Sequence, residues 1–381
     1  MNKLLPFSYA LALALLPAVS QAAAPTLNDV LGASGISVSG FVDSSFNYLS
    51  GSGLFNGGTA DRVFDYQHDS FNLNNVDLKV ASTATTGVGG VVEVNAGQDA
   101  NVFQSYPYAG ATHKFDVQQA YMQYIAGPMT FMAGKFVTLA GAEVIDSPAD
   151  VNFSRSILFG YAIPFTHTGV RAIYALNAST SFTVGVNNGW DQVTAEATNP
   201  KTVELGVSST PIKPLSLSAA YYEGQEYVNE PAPLPTPLPT NLAMGDRKLL
   251  DLVATYTIID PLSVTLNYDT ASQDNYNGAG AKAKWNGLAA YVTYQIAPQW
   301  RADVRGEYFN DPQGYRTGVD VGTGGQKWKE GTATLAYLPN ASLELRGEVR
   351  VDKSNVAAFG TTSGGYKDTQ HSVALEALYK F

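Results

Sequence analysis

The 381-residue chain carries 33 Asp and Glu against 23 Lys and Arg, a net charge of −10 that argues against nucleic acid as a partner. It contains no cysteine, so a disulfide-stapled small domain and a thiolate metal site are both excluded. Although 45% of its residues are hydrophobic, no apolar run follows the amino-terminal leader, so no spanning helix can be drawn and any membrane residence requires a closed barrel.

Residues 1–22, "MNKLLPFSYALALALLPAVSQA", read as a secretory signal peptide: Lys3 is basic, the stretch that follows is apolar, and Ser20 and Ala22 are small residues before a cleavage site after Ala22. Residues 23–35 form a short periplasmic leader or helix, with Thr26 and Asp29 as a capping box and Leu27, Val30 and Leu31 on one face. Residues 36–381 are expected to be a transmembrane β-barrel.

Along that span the two-residue period wins and the helical period almost never appears. Expected strands run 36–49, 70–84, 88–99, 115–126, 129–139, 167–177, 180–190 and 202–211, then 215–225, 249–259, 262–272, 285–297, 300–309, 328–338, 342–352 and 370–381, which makes sixteen. "ASLELRGEVRVD" shows the pattern, with Leu343, Leu345, Val349 and Val351 on one face and Glu344, Arg346, Glu348, Arg350 and Asp352 on the other. The closing "SVALEALYKF" does the same, with Val373, Leu375, Ala377, Tyr379 and Phe381 sharing one parity.

A soluble sandwich also alternates, but strands of this length tilted at roughly 45° span about 25 to 30 Å, a bilayer core. Tight turns such as "AGPM", "NAST", "IDPL" and "PNAS" alternate with long Gly- and Asp-rich stretches. An even strand count with short turns on one side and long loops on the other predicts an antiparallel up-and-down outer-membrane barrel whose termini are periplasmic. Sixteen strands leave an aqueous lumen rather than a packed core.

The polar parity is then expected to line water: Lys79, Glu93, Lys135, Arg301, Asp303, Arg305 and Glu307, with Glu344, Arg346, Glu348 and Arg350. On the lipid face each Arg or Lys near the midplane costs roughly 2 to 4 kcal/mol, so the register is strongly specified. Tyr124, Tyr256, Tyr268, Tyr294, Trp300, Tyr337 and Tyr379 fall beside the tight turns, where an interfacial aromatic girdle belongs.

The loop 140–166 is unusually apolar, with Ile145, Phe153, Ile157, Leu158 and Phe159. Folded inward it buries these groups and narrows the pore; packed outward it meets a neighbouring subunit. In the first case Glu143, Asp146, Asp150 and Arg155 face the basic wall, including Arg171, across a constriction whose transverse field orients dipolar solutes. "PAPLPTPLPT" (231–240) reads as polyproline II in an external loop. His68, His113, His167 and His371 show no metal-ligand spacing, and neither a metal nor a cofactor is expected.

The first strand "SGFVDSSFNY", the run "GKFVTLAGAEVIDSPADVNFSRSILFGYAIPFTHTGVRAIY" and the aromatic terminus resemble the OmpL-like (type 2) β-barrel porins of Gram-negative outer membranes, over nearly the whole mature chain. The resemblance implies passive diffusion of small hydrophilic solutes without catalysis, with the segment around His167, Thr168, Gly169 and Arg171 in the constriction wall. It implies lipid and lipopolysaccharide around the barrel. The terminal Tyr379 and Phe381 resemble the signal read by the outer-membrane assembly machinery. The general porins' P-E-F-G-G turn is lacking, so homotrimer and monomer both stay open. The rival expectation is a barrel serving as scaffold for a surface enzyme or adhesin.

Overall fold

A computed structural model describes residues 27–381 apart from 57, 59, 83, 106–113, 195–199, 228–242 and 320–324. The signal peptide, Thr26, His113 and the polyproline run lie outside the described residues. One short helix, α1 (Leu27–Ser34), leads into the sheet, and no described helix is long and apolar enough to cross a membrane.

The first eight long strands are β1 (Ile36–Leu49), β2 (Ser70–Ser82), β3 (Gly87–Ala96), β4 (Phe115–Ala126), β5 (Met129–Val137), β6 (Thr166–Asn177), β7 (Thr180–Asn187) and β8 (Thr202–Ile212). Then follow β9 (Leu215–Tyr227), β10 (Met244–Ile259), β11 (Leu262–Gln273), β12 (Ala283–Ala297), β13 (Trp300–Asp311), β14 (Gln326–Asn340) and β15 (Leu343–Ser354). A two-residue hairpin, β16 (Phe359–Gly360) with β17 (Tyr366–Lys367), precedes the last strand, β18 (Thr369–Lys380). Apart from that hairpin, each strand pairs antiparallel with its neighbours in sequence, and β1 pairs with β18, closing a sixteen-stranded barrel.

Alternation builds this barrel with its polarity inverted relative to a soluble protein. On β15 the buried positions are Glu344, Arg346, Glu348, Arg350 and Asp352, whereas Leu345, Val349 and Val351 are 40, 54 and 45% exposed. Charged residues in water-soluble proteins are almost never fully buried while apolar neighbours face out, so the outer face is a lipid face. The turn-side aromatics follow: Tyr124, Tyr256, Tyr294, Trp300 and Tyr379 are exposed, and the Trp300 and Tyr337 rings lie 4.7 Å apart.

The seam is closed by a reciprocal pair of backbone bonds. The Gly40 N–H donates to the Phe381 carbonyl at 3.1 Å, and the Phe381 N–H returns to the Gly40 carbonyl at 3.0 Å. A side chain at position 40 has no room, since its Cβ would lie 2.2 Å from the Asp77 carbonyl and 2.7 Å from the Phe381 ring. Gly40 is therefore the notch into which the terminal aromatic closes.

Strand ends depart from expectation where side chains or glycines end the ladder. β3 stops at Ala96 rather than 99, because Gly97 takes φ +140° and the chain turns into a 3₁₀ turn at Asp99–Asn101. β7 stops at Asn187 rather than 190, where the Asn187 side chain accepts the Gly189 N–H and Gly189 takes φ +117°. β10 begins at Met244 rather than 249, since β9 continues to Tyr227 and gives it a partner.

The extracellular half of the bore is not empty. Loop 1 (50–69), Phe103 from the connection between β3 and β4, loop 3 (138–165) and the wall share a buried apolar cluster that also includes Phe55, Phe64, Phe159, Trp285 and Trp328. The expectation of an aqueous lumen throughout is corrected to this extent: that half is packed by its own loops.

Candidate functional site

Loop 3 leaves β5, touches strands on the far side of the barrel and returns to β6. The Ala142 N–H donates to Asn267 on β11, the Ser147 hydroxyl to Asp43 on β1 at 2.6 Å, and the Asn152 amide to Thr334 on β14 at 2.7 Å. A loop buried this way must find partners for its backbone polar groups, because each one left bare costs about 1 to 3 kcal/mol.

The wall supplies those partners with its charged side chains. The Glu348 carboxylate accepts the Phe153 and Ser154 N–H groups at 2.7 and 3.0 Å. Glu307 accepts those of Ile157 and Leu158 at 2.9 and 3.2 Å. Arg305 donates to the Ser154 carbonyl at 2.6 Å, Arg346 to the Asp150 carbonyl at 2.6 Å, and Arg350 to the Arg155 carbonyl at 2.7 Å. Two anions and three cations thus hold loop 3 mainly by its backbone.

This geometry changes the reading of several residues. The expected transverse field needs opposite charges separated by water, yet Glu143 touches Arg305 at 2.8 Å and Arg155 pairs with Asp150 inside the loop at 3.1 Å. Arg155 also lies over the Phe64 ring at 5.0 Å, tying loop 3 to loop 1. Of the charges expected to line water, Glu93, Asp303, Arg305, Glu307, Glu344, Arg346, Glu348 and Arg350 are buried, because the loop and neighbouring charges cover them. Lys79 and Arg301 keep partial exposure, 33 and 14% of their side chains.

Arg171 is not in the loop contact; it pairs with Glu204 at 2.6 Å and lies 4.0 Å over the Phe136 ring. Lys135 falls on the parity of the exposed Phe131, opposite to Met132 and Phe136, and is bound to Asp116 at 2.9 Å. Asp146 reaches the β2 and β3 wall, where its carboxylate and those of Asp77 and Glu93 come within 4.8 Å of one another. The Lys79 ammonium, 3.2 Å from Glu93, offsets part of that charge. At the height of loop 3, Asp43, Glu93, Arg171, Tyr222, Tyr291 and Arg305, spaced around the wall, are all buried.

Sequence reasoning missed the backbone-holding role of Glu307 and Glu348 and the contributions of Asp43, Tyr222 and Asn267. The usable signal was the density of opposite charges on one strand face, more than a water-filled wall requires.

Loop 1 adds a titratable contact. Arg62 bridges Asp65 at 3.1 Å and Asp352 on β15 at 2.8 Å, and Asp61 is buried beside it. Burial, chiefly, pushes Asp61 up to about 6, with Asp352 and Asp65 adding to the rise and Arg62 and Gln370 opposing it. A raised acid holds its proton better in the docked state, so its stabilising contribution is present below about pH 4 and lost as pH rises through about 6. Loop 1 is therefore expected to become more sensitive to protease between pH 5 and pH 8. Asp61→Asn flattens that dependence; an identical slope in the variant refutes the assignment.

A closed, inverted sixteen-stranded barrel with a loop laid across its bore defines a porin-type outer-membrane protein. The family model described as "Putative beta-barrel porin-2, OmpL-like" matches residues 35–381, and the chain belongs to that family. No curated protein matches at a significant level. Among solved structures, the anion-selective porin from Comamonas acidovorans is 11% identical, with 91% of this chain and 99% of that one covered and a TM-score of 0.62. The outer membrane channel DcaP of Acinetobacter baumannii is 17% identical, with 91 and 97% covered and a TM-score of 0.58. A loop L8 deletion mutant of OmpT from Vibrio cholerae is 14% identical, with 91 and 99% covered and a TM-score of 0.60. At these identities the likeness is one of fold.

Proposed function

We propose that this porin passes small hydrophilic solutes down their gradient through a bore whose narrowest level is loop 3. The observation that carries the reading is the clasp: Glu307, Glu348, Arg305, Arg346 and Arg350 hold the loop across the barrel on β13 to β15. A fixed cross-strut of this kind sets pore size without any chemistry, as a diffusion channel requires. Glu143, Asp150 and Arg155 act in it as internal braces, and Arg171 with Glu204 forms the wall the loop faces.

Residues 1–22 serve as a cleaved export signal, lipid and lipopolysaccharide surround the barrel, and the outer-membrane assembly machinery reads the terminal Tyr379 and Phe381. The trimeric solved form of OmpT from Vibrio cholerae, 12% identical, is a precedent for a homotrimer of the same fold. Refolded protein in planar bilayers is expected to give discrete conductance steps. Their absence at every voltage refutes the channel.

A further inference from the structure

The bore has two unlike walls. On β13 to β15, β18 and β1 to β3 the inward positions carry charge: Arg301, Asp303, Glu344, Arg346, Asp43 and Glu93, which are largely buried in pairs or under loop 3. On β5 to β12, between the tight turns and the level of Arg171, Glu204 and Asp251, no described inward position carries charge. That wall is rich in hydroxyl groups, among them Thr183, Ser208, Ser218, Thr255, Thr265 and Thr293, each half-buried or exposed, with the apolar Met132, Ile173, Ala175 and Val253 between them. One cross-strand pair bonds to itself: the Thr255 and Thr265 hydroxyls lie 2.9 Å apart.

The asymmetry follows from where the loop is held. Loop 3 is clasped by β13 to β15, so in the periplasmic half a solute meets the wall of β5 to β12 and, opposite it, the partly exposed Lys79, Arg301 and Lys380. A hydroxyl both donates and accepts, so it can replace the water around another hydroxyl at little cost. It offers an ion no opposite charge to offset lost hydration, and the partly exposed cations across the bore, Lys79, Arg301 and Lys380, each lie within 3.7 Å of a carboxylate.

We propose that the preferred permeants are small uncharged polyhydroxylated molecules that cross along this Ser and Thr wall. Small ions pass with little discrimination by charge. The proposal rests on the diffusion-channel reading and names its solute class.

Two measurements on the refolded full barrel test it. In a KCl gradient across a planar bilayer, the K⁺ to Cl⁻ permeability ratio is expected within about threefold of unity. Thr255→Glu or Ser218→Glu, checked for folding by heat-modifiable gel mobility, is expected to raise that ratio by at least about threefold, because each places a fixed anion on the solute's path. In proteoliposome swelling, sorbitol is expected to enter at least about three times faster than gluconate, which has the same carbon count and a charge. A wild-type ratio outside that range, a ratio that neither folded Glu variant moves, or gluconate entering as fast as sorbitol overturns the proposal while leaving a channel. The absence of both conductance and swelling removes the channel reading and this one with it.

Discussion

Replacing both Glu307 and Glu348 by alanine is expected to raise single-channel conductance several-fold while leaving the barrel folded. The two carboxylates accept four loop N–H groups, those of Phe153, Ser154, Ile157 and Leu158. A hydrogen bond to a charged acceptor contributes about 1.5 to 3 kcal/mol, so their joint loss exceeds what the remaining contacts of a short segment can restore. Arg305 also loses its neighbour Glu307, 3.3 Å away, and its attraction turns to Glu143 and Glu330. The loop then rehydrates its backbone and leaves the wall. Glu→Gln at both positions keeps an acceptor oxygen at each and is expected to give an intermediate rise. Planar-bilayer recording reads both variants; unchanged conductance in the double alanine protein shows that the loop is held by its apolar side chains instead.

Deleting Phe381 is expected to cut the yield of assembled barrel severely, and the cause can be divided. The deletion removes both reciprocal bonds to Gly40 and the ring beside that notch, together worth about 2 to 4 kcal/mol at the one place where the sheet must close on itself. Phe381→Ala keeps the backbone bonds and loses the ring; Phe381→Tyr keeps both. If the seam alone matters, refolding into detergent and assembly in cells fall in step across the three variants, whereas recognition of the terminal aromatic makes cellular assembly fall further than refolding. Normal yield of the deletion in both assays removes any role for the terminus.

Strand number, pairing order and, Lys135 apart, face assignment were legible in the sequence because a two-residue period with charge on one parity admits one register in lipid. β1 and β4 begin and end at the expected residues, 36 to 49 and 115 to 126. The limits that moved furthest, at Gly97, Gly189 and Met244, depend on local turns or on a partner strand's length, neither of which a period reveals. The site was legible only in part. That loop 140–166 is apolar was visible, but which oxygen accepts which N–H depends on loop backbone that follows no period. Arg171 looked like a constriction residue by its place near the loop, yet Glu204, thirty-odd residues away in sequence and two strands across, claims it first.

Because the clasp grips the backbone of loop 3 far more than its side chains, the loop's path is encoded outside the loop. Conservative exchanges at the buried positions 153, 157 and 158 are still delivered to the same place, whereas Glu307, Glu348, Arg305, Arg346 and Arg350 cannot change without moving the whole segment. A saturation scan is accordingly expected to find the five wall positions at least as intolerant as the strut's own buried side chains, and permissive positions only where the strut is exposed, as at Val144. Such a division lets a lineage alter what passes through the bore by editing a few loop side chains, with no fresh search for a conformation that holds them.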